Sequence, residues 1–140
     1  GHHLSDQNIQ PDIILCSAAT RTQETFSYIQ SFLPETQAIE IKDALYLASS
    51  QTLMQHLENV NEAASSVMII AHNPGLHELA INLGGRENIG SSELLNQVMQ
   101  QFPSGALASV QSTADHWKSL NQGESTLTGF VCPAVLPLPR

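Results

Sequence analysis

Basic residues are the scarcest kind of charge here. Five Lys and Arg stand against 13 Asp and Glu, for a formal net charge of −8. Nonspecific nucleic-acid binding needs a basic surface, so no nucleic-acid partner is expected. A chain this acidic that binds phosphate must gather its few cations at the site, which makes each arginine informative. Cysteine is nearly absent too. Cys16 and Cys132 each lie in or beside an apolar run and read as buried free thiols, without a disulfide framework. That usage fits the cytoplasm. No apolar segment approaches the roughly 20 residues needed to span a bilayer, and no secretory signal is visible, so no membrane partner is expected.

The 140 residues, 41% of them hydrophobic, suffice for one core, and positions 1–140 read as a single domain. The first residue is Gly rather than Met, so the start reads as processed, trimmed or incomplete, and Gly1-His2-His3 as tag residue. Apolar runs then alternate with helical patterns. Leu4 reads as the tail of a helix. Ile13-Ile14-Leu15-Cys16 reads as a short buried strand closed by Ser17, followed by a helix over 19–33 with Phe26, Ile29, Phe32 and Leu33 on one stripe and Pro34 as its stop. Ala38-Ile39-Glu40-Ile41 alternates as a strand, and 43–47 leaves it as a loop. Ser49 or Ser50 caps a helix carrying Leu53, Met54, Leu57 and Val60.

Residues 66–71 read as a fully buried central strand. Asn73 then fits a helix N-cap, with Pro74 opening a helix to about Leu83 that Gly84-Gly85 ends. A further helix runs from 91 to 99. Residues 105–110 and 126–131 read as two strands whose short connection implies antiparallel pairing at the sheet edge. The proline-rich tail 133–139 is extended. Strands alternating with helices predict an α/β layered sheet.

Two strand ends carry the chemistry. His72 falls at the carboxyl end of a strand, beside helix N–H groups, where open α/β sheets bind ligands and helix N-termini favour anions. Arg21 lies in the first turn of the helix after the first strand. A cation there opposes the helix dipole by roughly 0.3–1 kcal/mol, a conflict that a bound anion removes. Its planar guanidinium can make two parallel hydrogen bonds to phosphate. Taken alone, Arg21 also fits a surface arginine and His72 a strand-end histidine satisfied by backbone. Together the two strand ends are more specific than either.

The ordered set of Pro11-Asp12-Ile13-Ile14-Leu15-Cys16-Ser17, Arg21-Thr22-Gln23-Glu24-Thr25, Leu45-Tyr46-Leu47-Ala48 and Ala71-His72-Asn73-Pro74-Gly75 resembles the histidine phosphatase superfamily. More narrowly it resembles the bacterial phosphohistidine phosphatase (SixA-type) branch, which Phe102-Pro103-Ser104-Gly105-Ala106 also matches. The resemblance implies a three-layer α/β/α fold with a mostly parallel central sheet (phosphoglycerate mutase-like). It implies removal of a phosphoryl group, foremost from phosphohistidine on a protein, through a covalent phosphohistidine on the enzyme. Arginines and a second histidine cradle the phosphoryl oxygens in that reaction. By matching position Arg21 and His72 are expected to be catalytic and phosphate-binding, with Asn73 shaping the pocket and touching phosphate. No cofactor is implied, and the expected partner is a phosphorylated protein or a small phosphoester.

One departure is large. The family nucleophile sits in an Arg-His-Gly motif after a first strand, and no Arg-His-Gly occurs in this sequence. The expectation is therefore an N-terminally incomplete domain whose first strand and nucleophile lie outside the given chain, inactive on its own. A noncatalytic phosphate-binding remnant acting as an interaction module is the alternative. Other chemistries lack their marks. His72 and His77 are spaced too far to share a helix face, His56 and His116 are scattered, and no metal site is expected. Neither a Gly-x-Ser-x-Gly elbow nor a P-loop is present. Glu78 reads as a surface residue and Arg86 as part of a solvated loop, and no general acid is named.

Overall fold

The first apolar run becomes the centre of the fold. In the computed structural model, which describes residues 9–33, 38–84, 92–103 and 105–132, strand β1 (Ile13–Ser17) is buried at every position. It is flanked in parallel by β2 (Ala38–Lys42) and β3 (Val67–Ile70), in the order β2-β1-β3. Side chains of β1 alternate between two cores, as a period of two requires. Ile14 and Cys16 pack with Phe26 of helix α1 (Thr20–Ile29). Ile13 and Leu15 pack on the other face with Leu53 and Leu57 of α2 (Ser50–Glu58) and Leu79 and Leu83 of α3 (Gly75–Gly84). Helices therefore cover both faces of a parallel sheet, the layered α/β/α arrangement that the family resemblance implies.

The connections are short parallel crossovers. The chain runs from β1 through α1 to β2, then crosses back over β1 through α2 to reach β3. Right-handed crossovers in opposite directions put α1 and α2 on opposite faces. The neighbours β1 and β3 thus feed helices α1 and α3 on opposite sides of the sheet. That divergence is a topological switch point, and it opens a crevice beyond the carboxyl ends of both strands.

The remaining elements form a flank. Helix α4 (Ser92–Gln100) and the antiparallel pair β4 (Leu107–Ser112) and β5 (Ser125–Val131) share a third core, built on Ala80, Val98 and Leu127. Gly84 fits because a Cβ there would lie 2.5 Å from Leu127 Cδ1. Among the described residues no helix is long and apolar enough to cross a membrane.

Several local expectations shift. The run Val67–Ile70 is half-buried rather than fully buried, because among the described residues it pairs with β1 alone. β1 takes the central place. The outer strand β2 leaves Ile41 exposed for the same reason. Helix α1 stops at Ile29 and tightens into a 3₁₀ turn over Gln30–Phe32. A second 3₁₀ turn, Asp43–Leu45, occupies the expected loop. Strands β4 and β5 are antiparallel as expected, but they form a separate two-stranded sheet. Ser49 caps α2, its Oγ accepting the Thr52 N–H at 3.2 Å. Both cysteines are free thiols, with Cys16 buried and Cys132 half-buried. The expectations for Leu4, Pro34, Gly85, Arg86, Ser91, Ser104 and the tail lie outside the described residues.

Candidate functional site

Where β1 ends, the chain turns sharply into α1. The Ala18 N–H still bonds to the Lys42 carbonyl of β2, at 3.2 Å. Thr22, buried in the first turn of α1, shares its single hydroxyl proton between the carbonyls of Ser17 (2.8 Å) and Ala19 (2.9 Å). These bonds lock the turn to the strand. Ala19 at the N-cap supplies no side-chain acceptor, and the first turn holds no acidic residue. Among the described residues, the helix therefore opens with no side-chain cap on its first N–H groups and with Arg21 among them. Arg21 is exposed, and among the described residues its guanidinium joins no ion pair.

Where β3 ends, the carbonyl of His72 accepts the Leu76 N–H at 2.9 Å, so the backbone at His72 is tied into the opening of α3. Its ring is held on two sides. Nε2 lies 3.0 Å from the hydroxyl of Ser17, and the ring of Tyr46 meets it edge-on with centroids 5.6 Å apart. Tyr46 comes from the segment after β2. Leu47 beside it has φ 49°, a left-handed conformation rare for a side chain of its bulk. Ala48 then packs its carbonyl against Gly75 so closely that a Cβ on Gly75 would overlap it. Strained backbone of this kind persists where surrounding contacts hold it, and it concentrates at ligand sites.

These pieces enclose one open cleft of about 710 Å³. Arg21 and His72 both line it, together with the turn Ala18–Thr20, Asp43, Tyr46 and Leu47. The cleft lies at the switch point, and its lining brings together Arg21, His72 and the start of α1. Such a set can bind a compact oxyanion through charge-assisted hydrogen bonds.

Asn73 departs from its expected place. Helix α3 begins at Gly75, so Asn73 does not cap it. Its side-chain amide instead donates to the Phe102 carbonyl at 2.6 Å, and Asn73 is not among the residues lining the cleft. His77 is not a surface histidine: half-buried, it bonds through Nε2 to the Val98 carbonyl of α4 and stacks on Phe102, with centroids 5.6 Å apart. His116 pairs with Glu62 at 3.3 Å, and neither is among the residues lining the cleft. Sequence reasoning passed over Ser17 and Asp43. Ser17 carried the same signal as His72, being the first polar residue after a buried run. Asp43 carried none, because its approach to the cleft depends on the 3₁₀ turn.

No family model matches the chain. Two uncharacterised Mycobacterium tuberculosis proteins, Rv1276c and MT1313, are each 27% identical to it over 122 residues, or 87% of this chain and 73% of theirs. Solved structures are more telling. A protein of Agrobacterium tumefaciens assigned as the phosphohistidine phosphatase SixA superposes with a TM-score of 0.74 at 25% identity, covering 94% of this chain and 73% of that one. Its counterpart from Nakamurella multipartitia gives 0.75 at 21% identity, covering 89% and 72%. A protein histidine phosphatase SixA complexed with tungstate gives 0.70 at 21%, covering 94% and 75%.

The chain accordingly has the fold of the histidine phosphatase superfamily. Its structural neighbours within that superfamily are the SixA phosphohistidine phosphatases, the branch that the motifs resemble.

Proposed function

We propose that this chain carries the phosphoryl-binding side of a phosphohistidine phosphatase active site, with Arg21 and His72 as the groups that hold the phosphoryl oxygens. The observation that carries the reading is their convergence on one cleft from the ends of adjacent parallel strands. Arg21 adds weight because, in a chain of net charge −8, it stands in a helix first turn without an acidic partner there. Asn73 supports the site from behind, through its bond to Phe102, rather than by touching the anion.

In this reading a histidine nucleophile attacks the phosphorus. Its new P–N bond forms as the substrate's P–N bond breaks, and the leaving imidazole departs already protonated. Water then attacks the phosphoenzyme and releases inorganic phosphate. Arg21 and His72 donate hydrogen bonds to the equatorial oxygens, where negative charge must be held through the transition state. The nucleophile has no Arg-His-Gly match among these 140 residues, and in this reading it comes from chain outside them. The open cleft, with exposed Tyr46 and Leu47 at its edge, suits a phosphorylated side chain on a partner protein better than an enclosed metabolite. Two free thiols fit a cytoplasmic setting for such a partner.

The absence of Arg-His-Gly favours a second reading, a phosphate-binding interaction module without turnover. Tungstate titration of this chain tests the shared part. Binding that weakens about tenfold or more in Arg21→Ala supports the site, and equal binding in both proteins rejects it. Release of phosphate from a phosphohistidine-bearing protein, by the protein expressed from its whole reading frame, separates the enzyme from the module. Turnover of small phosphoesters alone would redirect the substrate assignment.

A further inference from the structure

Ser17 lies outside the groups assigned to the phosphoryl oxygens, yet its hydroxyl is fully buried against one of them. Among the described residues it has two hydrogen-bond partners, the Ala19 backbone nitrogen at 3.3 Å and His72 Nε2 at 3.0 Å. A serine hydroxyl has one proton to give and lone pairs with which to accept. The Ala19 N–H can only donate, so it takes a lone pair. Were Nε2 also protonated, Ser17 would accept twice and its own proton would have no acceptor in a buried site, which is costly. With Nε2 bare, the Ser17 O–H donates to it and every group is satisfied.

We infer that Ser17 is a positioning residue that holds neutral His72 in the Nδ1–H tautomer, making Nδ1–H the donor that His72 presents to an oxyanion in the cleft. Nδ1 has no hydrogen-bond partner among the described residues, and the ring lines the cleft beside Arg21. The edge-on contact with Tyr46 limits ring rotation, so the two nitrogens keep their separate tasks. Residues at a site commonly depend on such a second hydrogen bond to fix which nitrogen carries the proton. The inference rests on the proposed phosphatase reading for the nature of the anion, whereas the tautomer assignment is a property of the Ser17–His72 pair itself.

Long-range ¹H–¹⁵N correlation spectra of the ¹⁵N-labelled chain test it, at a pH of about 8.5, above the ordinary imidazole range. The His72 signals are assigned by their loss in His72→Gln. Nδ1 is expected at the shift of a protonated ring nitrogen and Nε2 at that of a bare one. A protonated Nε2 in the wild-type protein overturns the inference without recourse to any variant. Ser17→Ala should move His72 toward Nε2–H and weaken tungstate binding about tenfold, the worth of one charge-assisted hydrogen bond. Ser17→Thr, which keeps the hydroxyl, should retain both the tautomer and the affinity. An unchanged tautomer in Ser17→Ala refutes the role of Ser17. Loss of tungstate binding in Arg21→Ala alongside a protonated Nε2 would leave the phosphatase reading standing and remove this inference alone.

Discussion

The Cα of Gly75 faces the carbonyl of Ala48 so closely that no side chain fits between them. The start of α3 thereby fixes the segment that carries Tyr46 and Leu47 to the edge of the cleft. Gly75→Ala would drive a methyl into that carbonyl and toward Leu53 Cδ1. The expected cost is about 1–3 kcal/mol, the usual range for overpacking. Urea titration should show a lower midpoint at unchanged slope, and an unchanged midpoint would contradict the contact.

Arg21 is expected to bear on affinity and stability in opposite senses. Arg21→Ala should weaken tungstate binding about tenfold or more while leaving the unliganded fold unchanged or up to about 1 kcal/mol more stable, since a cation in a helix first turn is unfavourable. Arg21→Lys should recover only part of the affinity, because an ammonium lacks the planar fork. Thermal unfolding with and without tungstate separates the two effects.

Asp43 lines the same cleft with charge of the wrong sign for an anion. Asp43→Asn should tighten tungstate binding several-fold at low ionic strength, by an amount that shrinks as salt rises toward about 0.15 M and beyond. Weaker binding in the variant would show the carboxylate orienting a donor instead of repelling the ligand.

His77 provides the contrast. It ties α3 to α4 through Val98 and stacks on Phe102, outside the cleft lining. His77→Ala should cost about 1–3 kcal/mol of stability, as expected when a half-buried hydrogen bond and its packing are lost. Tungstate affinity of the folded variant should stay within about twofold of wild type, and a tenfold change would place His77 in the site.

Burial pushes the Cys16 thiol above its ordinary pKa, although a hydrogen bond with Thr22 works in the other direction. The folded state therefore keeps this proton longer than the unfolded state does. Its contribution to stability is complete below the unfolded thiol pKa of about 8.5 and falls as pH rises past it. Cys16→Ala should flatten that alkaline decline in denaturation midpoints measured from neutral pH upward. A thiol reagent should label half-buried Cys132 faster than Cys16 in the native protein.

Much of this was legible because buried strands announce their ends. Ile13–Ser17 and Val67–Ile70 are both apolar runs that stop at polar residues, and those stops placed Arg21 and His72 correctly at turns into helices. Which run is central was not legible. Both are equally apolar, and centrality is decided by pairing with strands remote in sequence. Asn73 shows the same limit at a single residue. Its side chain suits a local cap, but a bond to Phe102 across the fold takes it instead. The Ser17 hydroxyl was hidden for the opposite reason, since serine at a strand end is unremarkable until His72 is placed beside it.

The parallel alignment of β1 with β3 pairs Cys16 with Ile70, so that Ser17 closes β1 and His72 follows two residues after the end of β3. Side chains alternate along a strand, so slippage by a single position would turn Ser17 away from the imidazole. Deleting or inserting one residue within either strand should thus erase tungstate binding at the proposed site. In the proposed site, ligand capture comes down to counting residues in two short segments, and any redesign must leave that count untouched.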